Sequence, residues 1–369
     1  MDWPDGLFRR VAVPRLPGSQ AVRAVEDLIV DRLVATGYRV ERQAFRTSVA
    51  RLRAVGVVGA GLGWCALAFF PLFVLPFPGY VVAATGAAAL AMVALVAVGV
   101  ARRRPSETEA VAATNIIATR SATPACWLVA HSDSKAQKLS LRGRVVAFAA
   151  LGLGTLGLVV CLIIRVAGPL PVGVVAPWIL FTLAGGAAMA VSWSVGDSPG
   201  AVDNASGIIA VLVAAELARH RSDIGVLITG AEEYGMEGSR AWTAAGAPRG
   251  VFVNFDGLDD RGAFTLMRHD PARTSASPEA VSGVAVFDAV SAALTDDGHG
   301  LRRSRLPLGI FVDGSVLAAA GMPGVTLSRG DWRTLGVVHT ERDTADRAGV
   351  RSAVEAGRLV ARAVDELLG

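Results

Sequence analysis

Seven side chains in this sequence are of the kinds that hold and use a divalent metal, and they fall in five short segments: His131-Ser132-Asp133, Asp203-Asn204, Glu232-Glu233, Asp256 and His339. A hard or borderline cation takes carboxylate oxygen and imidazole nitrogen, and a catalytic site keeps one coordination position for water. The chemistry on offer is metal-assisted hydrolysis. Taken one at a time, each residue has an ordinary explanation. Asp203 could cap the helix that follows it, and Asp256 before Gly257 suits a turn. Glu232-Glu233 could be a solvated loop pair, and either histidine a structural one. The metal reading rests on the set in this order rather than on any one residue.

The elements that would position these residues can be read from periodicity. Val22, Val25, Leu28, Ile29, Leu33 and Val34 recur at helical spacing and predict a helix over 20–36, stopped by Gly37. Strands are expected at 38–45, 110–119 and 125–130, the last two joined by the turn 120–124; if the three form an antiparallel meander, the first apolar stretch leaves from the sheet end where His131 sits. Beyond them come a helix at 204–219, a strand at 224–229, a helix at 238–245, strands at 251–255 and 262–267, a helix at 278–295, a strand at 325–327 and a helix at 345–368. Asp270 to Ser277 is expected to be an exposed loop. Strands alternating with helices indicate an α/β sandwich. Every candidate ligand lies at a predicted strand end or in the loop after it, and such loops meet at one crevice of an open sheet.

The sequence is also unusually apolar, with 52% hydrophobic residues and a mean hydropathy of +0.47. The excess is concentrated. Ala54 to Ala101 has no charged residue, and Val145 to Gly196 has only Arg165. A crossing needs about 20 apolar residues, so each stretch can cross a bilayer twice. Four spans are predicted, at 54–75, 79–101, 145–166 and 172–194, turning at Pro76 to Gly79 and at Gly168 to Pro171. Gly59 and Gly63, Gly152 and Gly157, and Gly185-Gly186 would let these helices approach closely. The second pair is inserted between His131 and Asp203, inside the candidate site.

Arg46, Arg51, Arg53, Arg102, Arg103, Arg104, Lys135, Lys138, Arg142 and Arg144 flank the spans on the side of the polar domain, against Arg165 alone in the opposite turns. By the positive-inside rule the polar domain is cytoplasmic, in the plasma membrane of a prokaryote, and no cleavable signal peptide is expected. A pI near 9.3 is explained by those flanks, so anionic lipid rather than nucleic acid is the expected partner. Cys65, Cys126 and Cys161 fit a reduced compartment without disulfides. Apart from Arg165 the spans carry no ionisable path, which argues against a transporter.

The ordered segments Leu128 to Ser134, Asp203 to Ala210, Ala231 to Ser239, Asn254 to Asp256 and His339 to Thr344, with Pro14 to Ser19 before them, resemble the co-catalytic di-zinc aminopeptidases of metallopeptidase family twenty-eight. The resemblance covers nearly everything outside the four spans. It implies a zinc-exopeptidase-like three-layer α/β sandwich with a mixed sheet, made of 1–53, 102–144 and 195–369, interrupted by transmembrane hairpins at 54–101 and 145–194. It implies two zinc ions bridged by Asp203, one completed by His131 and Asp256 and the other by Glu233 and His339. Glu232 is then the general base acting on peptide substrates, and a cis peptide is expected at Asp203-Asn204. Asp133, two residues beyond His131 in an extended chain, is placed to accept the other imidazole N–H.

Two departures touch the substrate pocket. Val337-Val338 stands where relatives often have an aromatic residue before the last histidine, and Val312 to Ser315 lacks a histidine found in relatives. His220, His269 and His299 match nothing and are expected at the surface. A metal-free membrane adaptor and a single-zinc glutaminyl cyclase are the competing readings. Short tethers complete the sequence picture: at about 3.3–3.6 Å per residue, the segments from His131 to the third span and from the fourth span to Asp203 reach at most about 30–45 Å. The site is therefore expected near the bilayer surface.

Overall fold

Three strands of almost unbroken apolar sequence, β3 (Cys126–His131), β4 (Ile224–Thr229) and β5 (Val251–Leu258), are buried along nearly their whole length. Strands covered on both faces read this way, and these three pair in parallel. The computed structural model describes residues 2–102, 110–121, 123–192, 196–246, 249–271, 282–304 and 311–369. The chain divides into two compact units: Met1–Thr47, Ala110–Ala136 and Val195–Gly369 form the first, and Ser48–Glu109 with Gln137–Ser194 the second.

The first unit is built on an eight-stranded mixed sheet in the order β1-β2-β4-β3-β5-β8-β6-β7. The outer strands are β1 (Arg39–Thr47), β2 (Val111–Thr119), β6 (Ala263–His269), β7 (Leu301–Ser304) and β8 (Gly324–Gly330). The expected meander is not formed. β1 and β2 pair antiparallel, but β4 lies between β2 and β3. The reason is burial: β3 is covered along its full length and takes parallel neighbours on both sides, whereas the antiparallel β1–β2 ribbon, with exposed residues in β1, suits the sheet edge.

Helices cover both faces. α8 (Ser206–Leu217) is buried from Ser206 to Ala215, apolar all round, and packs between the sheet and the closing helix α13 (Arg351–Leu368). α10 (Gly283–Asp296) lies beside α13. On the other face, Trp127, Val129, Leu227, Phe252, Leu317 and Met322 cluster, with Trp242 of α9 (Glu237–Ala245) against them. The expected 345–368 helix is split at Gly349, whose φ of +70° ends one short helix before the next begins. Pro4–Val11, Asp313–Ala319 and β7 were not expected; each is too short to show a period. Residues 278–281 of the expected helix, and most of the expected loop after Asp270, lie outside the described residues. His269 is not at the surface: it is buried, its Nε2 is 2.9 Å from the Thr326 hydroxyl, and burial lowers it to about 4.

Glu26, in helix Gln20–Ala35, is 3% exposed with Arg42 at 3.9 Å. Burial pushes its carboxyl up to about 7, and Arg42 offsets only part of that. Between the unfolded value and about 7 the folded chain binds the extra proton. This contribution to stability is therefore complete in acid and is lost as pH rises through about 7. Glu26→Gln should stabilise the protein at pH 8 by up to about 3 kcal/mol and leave it unchanged at pH 4, read from denaturant midpoints.

In the second unit, Gly79–Val96, Leu141–Arg165 and Val172–Val191 are long and apolar enough to cross a membrane, and Gly56–Ala68 is a shorter apolar helix. The segment expected as a single span over 54–75 is broken into Ala50–Ala68 and Phe70–Val74. Pro71 is the cause, since it lacks an N–H and its ring clashes with the preceding turn. Arg165 is buried, and its guanidinium donates to the carbonyls of Leu72, Leu75 and Phe77, at and beyond the carboxyl end of the short helix Phe70–Val74. A Cβ on Gly186 would fall 2.4 Å from the Gly59 carbonyl oxygen, so the absence of one permits that backbone approach, whereas Gly152 faces open space. Leu95, Leu156, Ile163 and Leu180 are exposed, an apolar surface that water does not favour.

Candidate metal centre

β3 is flanked in parallel by β4 and β5, so the loops leaving their carboxyl ends rise at one edge of the sheet. His131 is the last residue of β3 and pairs with Thr229 at the end of β4. Glu232 and Glu233 form a single 3-10 turn entered through Ala231 at φ +53°, and His339 itself has φ +63°. Non-glycine residues in this region are uncommon and mark an imposed backbone. Asp203 sits in the turn before α8, and the Asp203-Asn204 peptide is cis. The Asn204 amide donates to the Phe255 carbonyl and its oxygen accepts from Gly207 and Gly257, which fastens this turn to the strand bearing Asp256. The Asp343 carboxylate accepts from the N–H groups of Val202 and Asp203 at 2.8 and 3.1 Å.

These supports bring the five expected ligands together as two triads sharing one residue. His131, Asp203 and Asp256 offer donor atoms within 4.8 Å of one another, and so do Asp203, Glu233 and His339. Asp203 Oδ1 is 3.0 Å from His131 Nε2, and its Oδ2 is 3.0 Å from His339 Nε2. His131 Nε2 is 3.9 Å from Asp256 Oδ1, and His339 Nε2 is 3.2 Å from Glu233 Oε1. Donors around a tetrahedral zinc at about 2.0–2.1 Å are separated by roughly 3.3–3.5 Å, so both triads have the right size and the right atoms.

Residues 190–364 match the model of Peptidase family M28. The match holds Asp203, Glu232, Glu233, Asp256 and His339, and His131 precedes it. No curated protein sequence matches the chain. Among solved structures, the chain is similar to a zinc aminopeptidase from Bacillus subtilis, at 16% identity over 98% of this chain and 93% of that one, TM-score 0.57. It is also similar to an aminopeptidase from Aneurinibacillus sp. strain AM-1, at 16% identity over 99% and 93%, TM-score 0.54. A third similar structure is the glutaminyl cyclase of Porphyromonas gingivalis, at 18% identity over 99% and 97%, TM-score 0.55. At these identities the likeness is one of fold. The match over residues 190–364 supports a metallopeptidase at the level of class, and the solved structures support the fold alone.

The structure differs from the sequence reading at Asp133. His131 Nδ1 meets the backbone carbonyl of Asp133 at 3.0 Å, while the carboxylate is 3.7 Å away. That carboxylate instead accepts from the N–H groups of Glu232 and Glu233, at 3.0 and 3.1 Å. Two amides at the start of a tight turn are a better match for two carboxylate oxygens than one imidazole N–H. Asp133 thus presents the Glu232-Glu233 pair to the site.

Lys135 also departs from expectation. The sequence places it with the cations beside the apolar stretches, yet it is 4% exposed, with Nζ 2.7 Å from Glu233 Oε2 and 2.8 Å from the Glu233 carbonyl. Arg15 was noticed only as part of Pro14 to Ser19. It is fully buried and donates to the carbonyls of Val11, Val13, Ser132, Pro199 and Gly200, joining the loops that follow His131 and precede Asp203.

Electrostatics identify what the pocket lacks. Burial, reinforced by the Asp203 carboxylate, pushes Asp256 up to about 7. Burial raises Glu232 well above the usual carboxylate range, and Glu233, Asp313 and Asp256 add to the rise. Burial would raise Asp203 too, but hydrogen bonds to His131 and His339 hold it far below its ordinary value. Burial disfavours charge on His131, yet Asp133 and Asp203 outweigh it and raise that imidazole. Asp313 is buried, takes the Thr229 hydroxyl on one oxygen and is raised by burial. A pocket in which carboxyls retain protons near neutrality is short of positive charge. Glu233 Oε1 and His339 Nδ1 are buried without hydrogen-bond partners, and Glu233 Oε1 points into the second triad. The donor set and its charge deficit fit zinc.

Proposed function

We propose that this chain is a membrane-embedded di-zinc exopeptidase, an aminopeptidase by preference, acting on peptides at the bilayer. One observation carries the reading: Asp203 directs one carboxylate oxygen to the His131 triad and the other to the His339 triad. Two zinc ions bound there supply Lewis acidity and lower the pKa of the attacking water. His131 and Asp256 would hold one ion and Glu233 and His339 the other, with Asp203 shared between the two sets. Glu232 has no place in either triad, lies buried beside both, and serves as the base that takes the water proton and returns it to the leaving amine.

The membrane part of the reading is that four spans cross the bilayer, the broken first segment included, with the M28 domain on the cytoplasmic side of a prokaryotic plasma membrane. It is supported by the three helices of spanning length and by the charge asymmetry around them. Thr47 pairs with Val111, and β2 runs antiparallel to β4, so the chain leaves the sheet for the first hairpin at the end where His131 sits. Short peptides, lipid-associated or released at the membrane, are the substrates this suits.

The test is a screen of aminoacyl and dipeptide substrates on detergent-purified protein, with zinc analysis alongside. Release of N-terminal residues with two zinc per chain is expected. One zinc with cyclisation of N-terminal glutamine would make the chain a glutaminyl cyclase, and no zinc with no turnover would make it an adaptor. Reporter fusions at Pro78 and Gly168 should give no cytoplasmic signal.

A further inference from the structure

The two triads are built from the same kinds of donor, one imidazole nitrogen and one carboxylate oxygen in addition to their share of Asp203. They differ in what stands behind the remaining carboxylate. Asp256 has His131 as its ion-pair neighbour, at 3.9 Å, and no lysine or arginine pairs with it among the described residues. Glu233 has Lys135. The ammonium sits 2.7 Å from Glu233 Oε2 and 2.8 Å from the carbonyl of the same residue, and the side chain is 4% exposed. Glu233 Oε1 is left facing His339 Nε2 at 3.2 Å with no hydrogen bond of its own.

On the two-ion reading above, we infer that Lys135 makes the two metal positions unequal, by holding Glu233 to a single donor oxygen and placing a positive charge on the carboxylate that must bind the second ion. Two physical effects act in the same direction. An oxygen engaged by a buried ammonium is unavailable for bidentate coordination, so the ion beside His339 keeps an open position. A cation one carboxylate away from a divalent ion repels it, and water is too sparse in a buried site to screen that repulsion. The position held by His131, Asp203 and Asp256 is therefore filled first, and the position held by Asp203, Glu233 and His339 is the exchangeable one.

Lys135 acts here as a positioning residue. Its three donors match this use: one grips the carboxylate and a second the carbonyl of the same residue, which fixes the Glu233 rotamer. Without the ammonium, both Glu233 oxygens are free for the ion and the opposing charge is gone. Removal of a buried charge contact usually weakens a site; here it strengthens metal binding, a result that a merely structural lysine would not give.

The experiment is zinc titration of the full-length protein in detergent, stripped by chelator dialysis and read against a competing chromophoric chelator. The natural chain should take up zinc in two steps whose dissociation constants differ at least tenfold. Two equal steps overturn the inference. Lys135→Met should tighten the second step at least tenfold and leave the first unchanged, and Lys135→Gln, which keeps a donor for the Glu233 carbonyl without the charge, should do the same. A second step unchanged or weakened in a variant whose circular dichroism matches the natural chain overturns it. Saturation at one zinc per chain in the natural protein would instead refute the two-ion reading itself.

Discussion

A Glu232→Gln chain should keep its zinc and lose turnover by about a hundredfold to ten-thousandfold, the range general-base catalysis contributes. The substitution replaces one carboxylate oxygen by an amide nitrogen of the same size and cannot accept the proton of an attacking water. It leaves the backbone N–H of residue 232 free to bond the Asp133 carboxylate as before, so Glu233 keeps its placement. Both triads lie outside the change. Measuring kcat at saturating substrate together with zinc content separates the outcomes: full activity would remove Glu232 from the role of base, and lost zinc would make it a ligand.

The second large effect is expected at Asp203. Asp203→Ala removes one oxygen from each triad and takes the partner from both His131 Nε2 and His339 Nε2. Zinc content should fall from two per chain to below one, and hydrolysis to background. His339→Ala, by contrast, opens only one triad and should leave one ion in place. The readout need not rest on activity. A ligand that binds only the folded state at a thousand times its dissociation constant stabilises it by about 4 kcal/mol. The natural chain should therefore gain thermal stability on adding zinc, and Asp203→Ala should gain almost none. An equal zinc-dependent shift in the variant would show that the ions are held elsewhere.

What could be read from the sequence follows a physical pattern. The clustering of His131, Glu233 and Asp256 was legible because each lies in or just after a strand whose apolar run is unmistakable, as at Leu128 to His131 and Ile224 to Thr229. Strand order was not legible. Residues 110–119 and 125–130 are adjacent in sequence, which favours pairing them, and only the burial of both faces of β3 puts β4 between them. The supporting residues were hidden for a similar reason. Lys135, Asp343 and Arg15 are charged side chains that composition assigns to a surface, and their burial depends on partners more than ninety positions away, Glu233, Val202 and Pro199. The break before Pro71 lies inside an apolar run long enough to read as a single span, so length alone does not place it.

The sheet order has a consequence for how this protein is made. β3 leaves the ribosome before the apolar helices Leu141–Arg165 and Val172–Val191, yet both of its neighbours, β4 and β5, are translated after them. The central strand must therefore wait unpaired while the second pair of apolar helices is synthesised, and the sheet is completed only after that pair has been made. His339 arrives later still. Non-local pairing of this kind is slow, so the residues of the two triads come together only after the apolar helices between them have been synthesised.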